Sequence, residues 1–208
     1  MGGEIMIKVN FKKLKKEYRK NLKILSTTEK LLDKMQKRGI CAEIGVFKGE
    51  NAKRIIKITK PEKLYLIDVY WKEYGKYYPD WGEYTDFGKL KTTHAYKQAK
   101  DNVKIAYKKK KVFFNIGDSI KILKKFPDNY FDWVYLDSSH VYKDTVTELS
   151  ILIKKVRNDG VIAGHDYCQR YSGVIKAVNE FCIKYNYELI FLTKEEYSSW
   201  AIKKVRSN

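Results

Sequence analysis

The sequence lacks any long apolar run and any paired cysteines, and each absence excludes a class of protein. No stretch of about 18 apolar residues occurs, so no segment is predicted to span a membrane. The N-terminus is strongly basic and has no signal-peptide core, which favours a soluble, cytoplasmic protein without a membrane partner. Cys41, Cys168 and Cys182 form no CxxC pair, so we interpret them as buried thiols rather than as a zinc site.

Arginine is scarce in a chain that is otherwise strongly basic. The formal net charge is +18, which suggests an anionic partner such as nucleic acid. Yet arginine, which bidentate recognition of phosphates and bases prefers, occurs at only six positions, and lysines are spread through every segment. A genome-wide bias or a thermophile's surface explains the same charge, so nucleic acid is the less favoured partner.

The order of apolar runs predicts alternating strands and helices. Short runs bounded by turn residues predict seven strands, at 40–46, 63–69, 112–117, 131–137, 160–166, 188–193 and 199–205. Helical spacing predicts helices at 49–59, 91–109, 118–126, 143–156 and 174–185. We therefore expect a doubly wound α/β fold with a mostly parallel seven-stranded sheet and a C-terminal antiparallel hairpin. Residues 1–38, helical in character, are interpreted as an N-terminal extension, and residues 39–208 as the main domain.

One segment does not follow this alternation. Residues 70–90 carry many aromatic side chains and follow the second predicted strand at its carboxyl end. Loops of this length usually carry function or are disordered, and so many rings argue against disorder. One interpretation is a surface loop packed by its own rings. The other is a lid whose aromatic faces contact a substrate, such as a sugar ring or a base.

Two of the predicted strands each end in an acid with a histidine nearby. The strand at 131–137 ends at Asp137, with His140 three residues further on, and the strand at 160–166 ends at His165 and Asp166. The helix predicted between them makes the strands a parallel pair, so both carboxyl ends lie at the same edge. Ligands bind at that edge in open α/β sheets, so these four residues form a candidate site.

Acids also follow the first three predicted strands. The first strand leads into the sequence EIGVFKG, with Glu43 on the strand and glycines at 45 and 49 that permit a tight turn close to a ligand. The loop lacks the GxGxxG of dinucleotide enzymes, and the Glu43 carboxylate suits a cationic group better than a pyrophosphate. Asp68 stands where an acid binds the ribose hydroxyls of a nucleoside, and Asp118 could accept a hydrogen bond from an adenine amine.

The ordered set of ExGxxxG, an acid after the second strand and GD after the third resembles class I S-adenosylmethionine-dependent methyltransferases. FDWVYLDSSHVY, GHDY, GVIKAVNEF and the later SW-I-K pattern resemble the subgroup that includes macrocin-type sugar O-methyltransferases. The resemblance covers residues 38–204 and implies a Rossmann-like methyltransferase fold with S-adenosylmethionine as cofactor. The cofactor-binding residues that it implies are Glu43, Gly45 and Gly49 at the methionine end, Asp68 at the ribose, and Asp118 with Ser119 at the adenine.

The resemblance also implies a reaction, the transfer of a methyl group to a hydroxyl of a small molecule such as a sugar or glycoside. His140, beside Asp137, would be the general base, because an imidazole titrates near neutral pH and a neighbouring carboxylate tunes it. Asp137 and Asp166 resemble the carboxylates that hold a divalent ion in metal-dependent relatives, with His165 as a third candidate ligand. Mg²⁺ suits the carboxylates, whereas an imidazole ligand favours Mn²⁺.

The sequence leaves other interpretations open. An RNA methyltransferase would use the lysine-rich surface, although LDSSH stands where base-amine methyltransferases of this class carry Asn-Pro-Pro-aromatic. A non-catalytic nucleic-acid-binding protein on the same fold would keep its affinity without Asp137 and His140. A dehydrogenase is disfavoured by the missing GxGxxG. The N-terminal segment could pack on its own sheet or pair with a second subunit, which would make a homo-oligomer.

Overall fold

A computed structural model of the chain describes residues 16–70, 84–85, 88–89 and 92–205. Most of the aromatic segment at 70–90 lies outside the described residues, as do residues 1–15, so the lid stays a prediction. None of the helices in the described ranges has both the length and the apolar character that crossing a bilayer requires.

The centre of the fold is one eight-stranded sheet. In chain order the strands are β1 (Lys23–Leu25), β2 (Ile40–Ile44), β3 (Lys63–Asp68), β4 (Tyr84–Thr85), β5 (Gly88–Lys89), β6 (Val112–Ile116), β7 (Phe131–Leu136), β8 (Val156–Gly164), β9 (Tyr187–Thr193) and β10 (Trp200–Lys204). Strands β4 and β5 form a separate antiparallel pair, and the sheet has the order β1-β9-β10-β8-β7-β2-β3-β6. Among the strands of the described ranges that form this sheet, only β10 runs antiparallel to its neighbours, β8 and β9, which confirms the predicted C-terminal hairpin.

Helices cover both faces of the sheet, as the doubly wound prediction requires. They are α1 (Thr28–Asp33), α2 (Glu50–Thr59), α3 (Thr92–Asn102), α4 (Lys104–Lys108), α5 (Ser119–Leu123), α6 (Tyr142–Lys155) and α7 (Ser172–Tyr185). Buried side chains of α1, α2 and α3 join one apolar cluster, and those of α5, α6 and α7 join a second. The sheet separates the two clusters, because successive side chains of a strand point to opposite faces.

The predicted count of seven strands is wrong, because Lys23–Leu25 forms an eighth strand within a region predicted to be helical. This strand, β1, pairs in parallel with β9, and Leu25 stands opposite Thr193. Three residues are too few for a periodic pattern, so its apolar side chains suit either structure. The pairing is decided by the open edge of β9, whose backbone N–H and C=O groups need partners.

The central strands bring the predicted site residues to one edge. All six residues of β7 are buried, as expected for a parallel strand with helices on both faces. Backbone bonds continue the sheet into the loops that follow it. The Gly45 N–H donates to the Ile67 carbonyl at 2.9 Å, and the Asp137 N–H donates to the Ile44 carbonyl at 2.7 Å. The start of each loop is therefore fixed by the sheet itself.

Candidate active site

The loop after β2 is shaped by two glycines in the left-handed backbone region. Gly45 has a φ of +80° and Gly49 a φ of +74°. A Cβ at Gly45 would lie 1.7 Å from the carbonyl oxygen of Asp137, which no side chain can tolerate. The loops after β2 and β7 therefore meet backbone to backbone, and only glycine permits this approach.

Glu43 lies beneath this loop as a buried carboxylate with one oxygen left unpaired. Glu43 is 1% exposed, and its Oε1 accepts a hydrogen bond from Asn51 Nδ2 at 2.9 Å. Glu43 Oε2 and Asn51 Oδ1 are both buried without a hydrogen-bond partner among the described residues. Burial raises the pKa of Glu43 well above its ordinary value, against the opposing hydrogen bond from Asn51 and with help from the Asp137 charge. Two unpaired acceptors fit a ligand that brings donor hydrogens.

Asp68 anchors the glycine loop from the end of β3. The backbone N–H groups of Val46 and Phe47 donate to its Oδ2 at 2.7 and 2.9 Å, and the N–H of Tyr70 donates to Oδ1 at 3.0 Å. The Tyr70 hydroxyl in turn donates to the Phe47 carbonyl at 3.0 Å. Asp68, the residue predicted to bind the ribose, is thus also a structural anchor of the loop. Its carboxylate retains further lone pairs that can accept from the hydroxyls of a bound molecule.

Asp118 and Ser119 stand one strand further along the same edge, after β6. Asp118 is the N-cap of α5, and its Oδ1 accepts from the Lys121 N–H at 2.8 Å. Ser119 Oγ donates to Glu148 Oε1 at 2.6 Å. The predicted adenine contacts therefore have structural partners of their own, and their role toward a ligand stays a prediction.

Sequence reasoning missed Glu148, a buried acid on α6. Its two carboxylate oxygens accept from different serines, Oε1 from Ser119 and Oε2 from Ser138, each at 2.6 Å. The residue is 2% exposed, and burial raises its pKa to about 7 although both serine bonds oppose the shift. A signal did exist in the sequence, because Glu148 falls within the helical stripe that also contains Thr145, Leu149 and Leu152.

The structure brings the four predicted residues after β7 and β8 together. His140 Nδ1 lies 2.7 Å from Asp166 Oδ2, and His165 Nδ1 lies 3.4 Å from the other oxygen of the same carboxylate. Asp137 Oδ1 lies 3.8 Å from His165 Nδ1. His140 and Asp166 both have left-handed backbones, with φ of +58° and +61°. Such strain in residues other than glycine costs about 1–3 kcal/mol each and is concentrated at functional sites.

The charges of this cluster shift the pKa of each member. Burial alone would raise the pKa of Asp166, but hydrogen bonds from His140 and His165 outweigh it and hold the pKa at about 2. Burial likewise opposes protonation of His140, yet the hydrogen bond to Asp166 and the charges of Asp166 and Asp137 raise its pKa overall. The pKa of His165 is raised for the same reasons. The pKa of Asp137 is raised by burial and by the charge of Asp166, against the opposing charge of His165.

The same residues form a donor set that fits a divalent cation. Asp137, His140 and Asp166 place ligand atoms within 4.8 Å of one another. A cavity of about 10 Å³ borders Asp137, His140 and His165, which is enough for one water or one ion. Two carboxylates suit Mg²⁺, and the added imidazole shifts the preference toward Mn²⁺ or Zn²⁺.

Aromatic rings and an arginine flank the two histidines. The Tyr171 ring lies 4.7 Å from the His140 ring, and the Tyr197 ring lies 6.5 Å from the His165 ring, measured between centroids. Arg170 Cζ lies 5.9 and 6.0 Å from these two tyrosine rings, and its Nη1 donates to the Tyr197 hydroxyl at 3.0 Å. Nothing in the sequence marked these residues in a chain that has 17 tyrosines.

Comparison with known proteins adds a family to this geometry. Residues 42–167, which run from β2 to just beyond β8, match a family described as Methyltransferase domain. No curated protein sequence matches the chain.

Solved structures share the fold at low sequence identity. A candidate methyltransferase from Streptococcus mutans, in complex with S-adenosylhomocysteine (SAH), has a TM-score of 0.58 at 13% identity, over 86% of this chain and 96% of that one. Cofactor-bound Rv0187 from MTB has a TM-score of 0.57 at 16% identity, over 86% and 78%. The ribosomal protein L11 methylase of Lactobacillus delbrueckii subsp. bulgaricus has 0.56 at 13%, over 86% and 77%. One longer neighbour is covered over only 45% of its length.

Proposed function

This chain belongs to the methyltransferase-domain family, and we propose that it transfers a methyl group from S-adenosylmethionine to a hydroxyl of a small molecule, a sugar or glycoside. The observation that carries the proposal is the His140–Asp166 pair, 2.7 Å apart at the carboxyl edge of the sheet. The loop that precedes His140 meets the glycine loop at Gly45, so the base and the proposed cofactor site are neighbours.

The unpaired buried oxygens of Glu43 and Asn51 support the choice of cofactor. The α-ammonium of a methionine moiety is a donor of the kind that these two acceptors need. Asp68 would bind the ribose hydroxyls, and Asp118 with Ser119 would flank the adenine. Two of the structural neighbours hold SAH or a bound cofactor, which favours the same cofactor here.

His140 performs the proton transfer in this proposal. S-adenosylmethionine, when bound, supplies an electrophilic methyl group on its sulfonium. The Nδ1–H of His140 donates to Asp166, which fixes the tautomer and leaves Nε2 as the basic nitrogen. At Nε2 the ring would accept the proton that an acceptor hydroxyl gives up when it is methylated.

A divalent ion, Mg²⁺ or Mn²⁺, is the second component of the proposal. Asp137 and Asp166 would hold it, with His165 or His140 as the nitrogen ligand. A bound ion would lower the pKa of an acceptor hydroxyl. Asp166 is already engaged by His140, so the ion and the His140–Asp166 pair compete for one carboxylate.

The ring faces beside the histidines support a ring-shaped acceptor. The Tyr171 and Tyr197 rings lie 6.1 Å apart beside the histidines, and Arg170 donates to the Tyr197 hydroxyl at 3.0 Å. Sugars bind proteins through this combination of an apolar ring face and polar edge groups. The net charge of +18 favours RNA as the second candidate acceptor.

The first experiment is calorimetric binding of SAH, repeated with Mg²⁺, Mn²⁺ and EDTA, with NADH as the control. We expect SAH to bind and NADH not to bind. Binding of NADH alone would favour the dehydrogenase interpretation, and a folded protein that binds neither would contradict the proposal. If methyl transfer to sugar acceptors then proceeds undiminished after chelation, the ion has no part in the reaction.

The second experiment tests the base with a matched histidine control. We expect His140→Ala to keep its SAH affinity while methyl transfer falls by about 10²–10⁴-fold, the usual contribution of a positioned base. His94 is exposed on α3 and takes part in none of the contacts described above, so His94→Ala should change neither quantity. Full activity in His140→Ala would remove His140 from the mechanism.

A further inference from the structure

We propose that Glu148 is a positioning residue that couples the cofactor side of the site to the turn that presents His140. The proposal rests on the function proposed above. It concerns a residue in the middle of α6, away from the strand ends, that accepts a hydrogen bond from each of the two loops through its two carboxylate oxygens.

The two hydrogen bonds join two loops that lie apart in the chain. Ser119 opens α5 after Asp118, on the loop proposed to flank the adenine. Ser138 lies between Asp137 and His140, on the loop that carries the base. Because each bond is 2.6 Å long and involves a different oxygen, one carboxylate fixes the separation of the two loops.

The opposite side of the His140 turn is already fixed. The Asp137 N–H donates to the Ile44 carbonyl at 2.7 Å, and the Asp137 carbonyl packs against Gly45. The turn is therefore held between the glycine loop on one side and Glu148 on the other. A displacement of Ser119 by a bound adenosine would be transmitted through Glu148 to Ser138, two residues before His140.

A purely structural role does not account for an acid at this position. Glu148 is 2% exposed and its neighbours on the helix stripe include Leu149 and Leu152. An ionised carboxylate held only by two hydroxyls is costly to bury, and an apolar side chain would pack there at no such cost. The charges of Asp144 on the same helix and of Asp118 at the start of α5 are both negative and add to the cost.

The test follows His140 directly, since the chain has only three histidines. Two-dimensional NMR of the imidazoles would record the His140 chemical shifts as SAH is added, at fixed pH and in EDTA. In the wild type we expect SAH to move the His140 resonances. In Glu148→Gln we expect that response to be reduced or lost, and SAH affinity to fall by about fivefold or more, the lower end of coupling between sites.

Matched variants separate coupling from general damage. Ser119→Ala and Ser138→Ala each remove one of the two bonds, so each should weaken the His140 response without a charge change. Glu196→Gln makes the same chemical change at an exposed position and should behave as wild type. If Glu148→Gln binds SAH as the wild type does and His140 responds fully, the coupling proposal is overturned. If SAH fails to bind the folded wild type, the proposed cofactor fails instead, and the coupling with it.

Discussion

The buried charge of Glu148 should make the protein less stable as the pH rises. Its pKa is about 7 in the folded protein, against an ordinary value of 4.5 for an exposed glutamate. The folded protein therefore holds this proton more tightly than the unfolded chain does. Between those two pH values the contribution of Glu148 to stability falls as pH rises, and the full loss is about 3 kcal/mol above pH 7.

Glu148→Gln removes the charge and keeps the shape, so it isolates this effect. An amide oxygen can accept from one serine only, so the other serine hydroxyl has to turn and accept from the amide N–H, and the pair of short bonds to one carboxylate is lost. Near pH 5 the wild-type carboxyl is protonated in the fold, and the two proteins should differ little. Between pH 5 and pH 8 the variant should gain about 2.5 kcal/mol relative to the wild type.

Urea denaturation at a series of pH values measures the difference. With a slope of about 2 kcal/mol per molar urea, the relative midpoint should shift by about 1 M across this range. Glu196→Gln serves as the exposed control and should show no such pH dependence. A stability difference between Glu148→Gln and wild type that stays constant with pH would refute the claim that burial raises the pKa of Glu148.

Two further predictions concern ionisable groups of the site. Asp166→Asn removes the carboxylate that raises the pKa of His140, so NMR titration in EDTA should find the His140 pKa lower than in the wild type; an unchanged value would contradict the contact. Glu43 has a raised pKa and an unpaired oxygen, so binding of an ammonium group should drive a proton off it. Calorimetry of SAH in buffers of different ionisation enthalpy should detect proton release in the wild type but not in Glu43→Gln, which should also bind more weakly.

The features that the sequence predicted well are those encoded by short stretches of chain. The alternation of apolar runs and helical spacing is local, and it correctly predicted the doubly wound sheet and the antiparallel C-terminal pair. Strand ends are also local, so Asp137, His140, His165 and Asp166 could be assigned to one edge before their contacts were known. Parallel strands that are separated by a helix have their carboxyl ends at the same edge of the sheet, which is why these residues lie together.

The features that could not be predicted depend on distant partners. Strand β1 exists because the edge of β9, more than 160 positions away in the chain, offers it backbone hydrogen bonds. The helical stripe of α6 marks Glu148 as a buried polar residue, but its role depends on the fold, which brings Ser119 and Ser138 to its two oxygens. Tyr197 has meaning only beside His165 and Arg170. In each case the decisive contact joins segments whose separation no periodic pattern records.

Asp166 determines how the proposed base and the proposed metal are related. Its side chain is 6% exposed, and both imidazoles hydrogen-bond to it. These bonds lower the pKa of Asp166 to about 2, so the carboxylate is ionised at any pH well above that value. The same hydrogen bonds raise the pKa of His140 and His165, so the two imidazoles hold their protons more tightly beside the ionised Asp166. A divalent ion must displace those protons to enter, because its nitrogen ligand has to be neutral. Metal binding and proton uptake by His140 are therefore alternatives at one carboxylate.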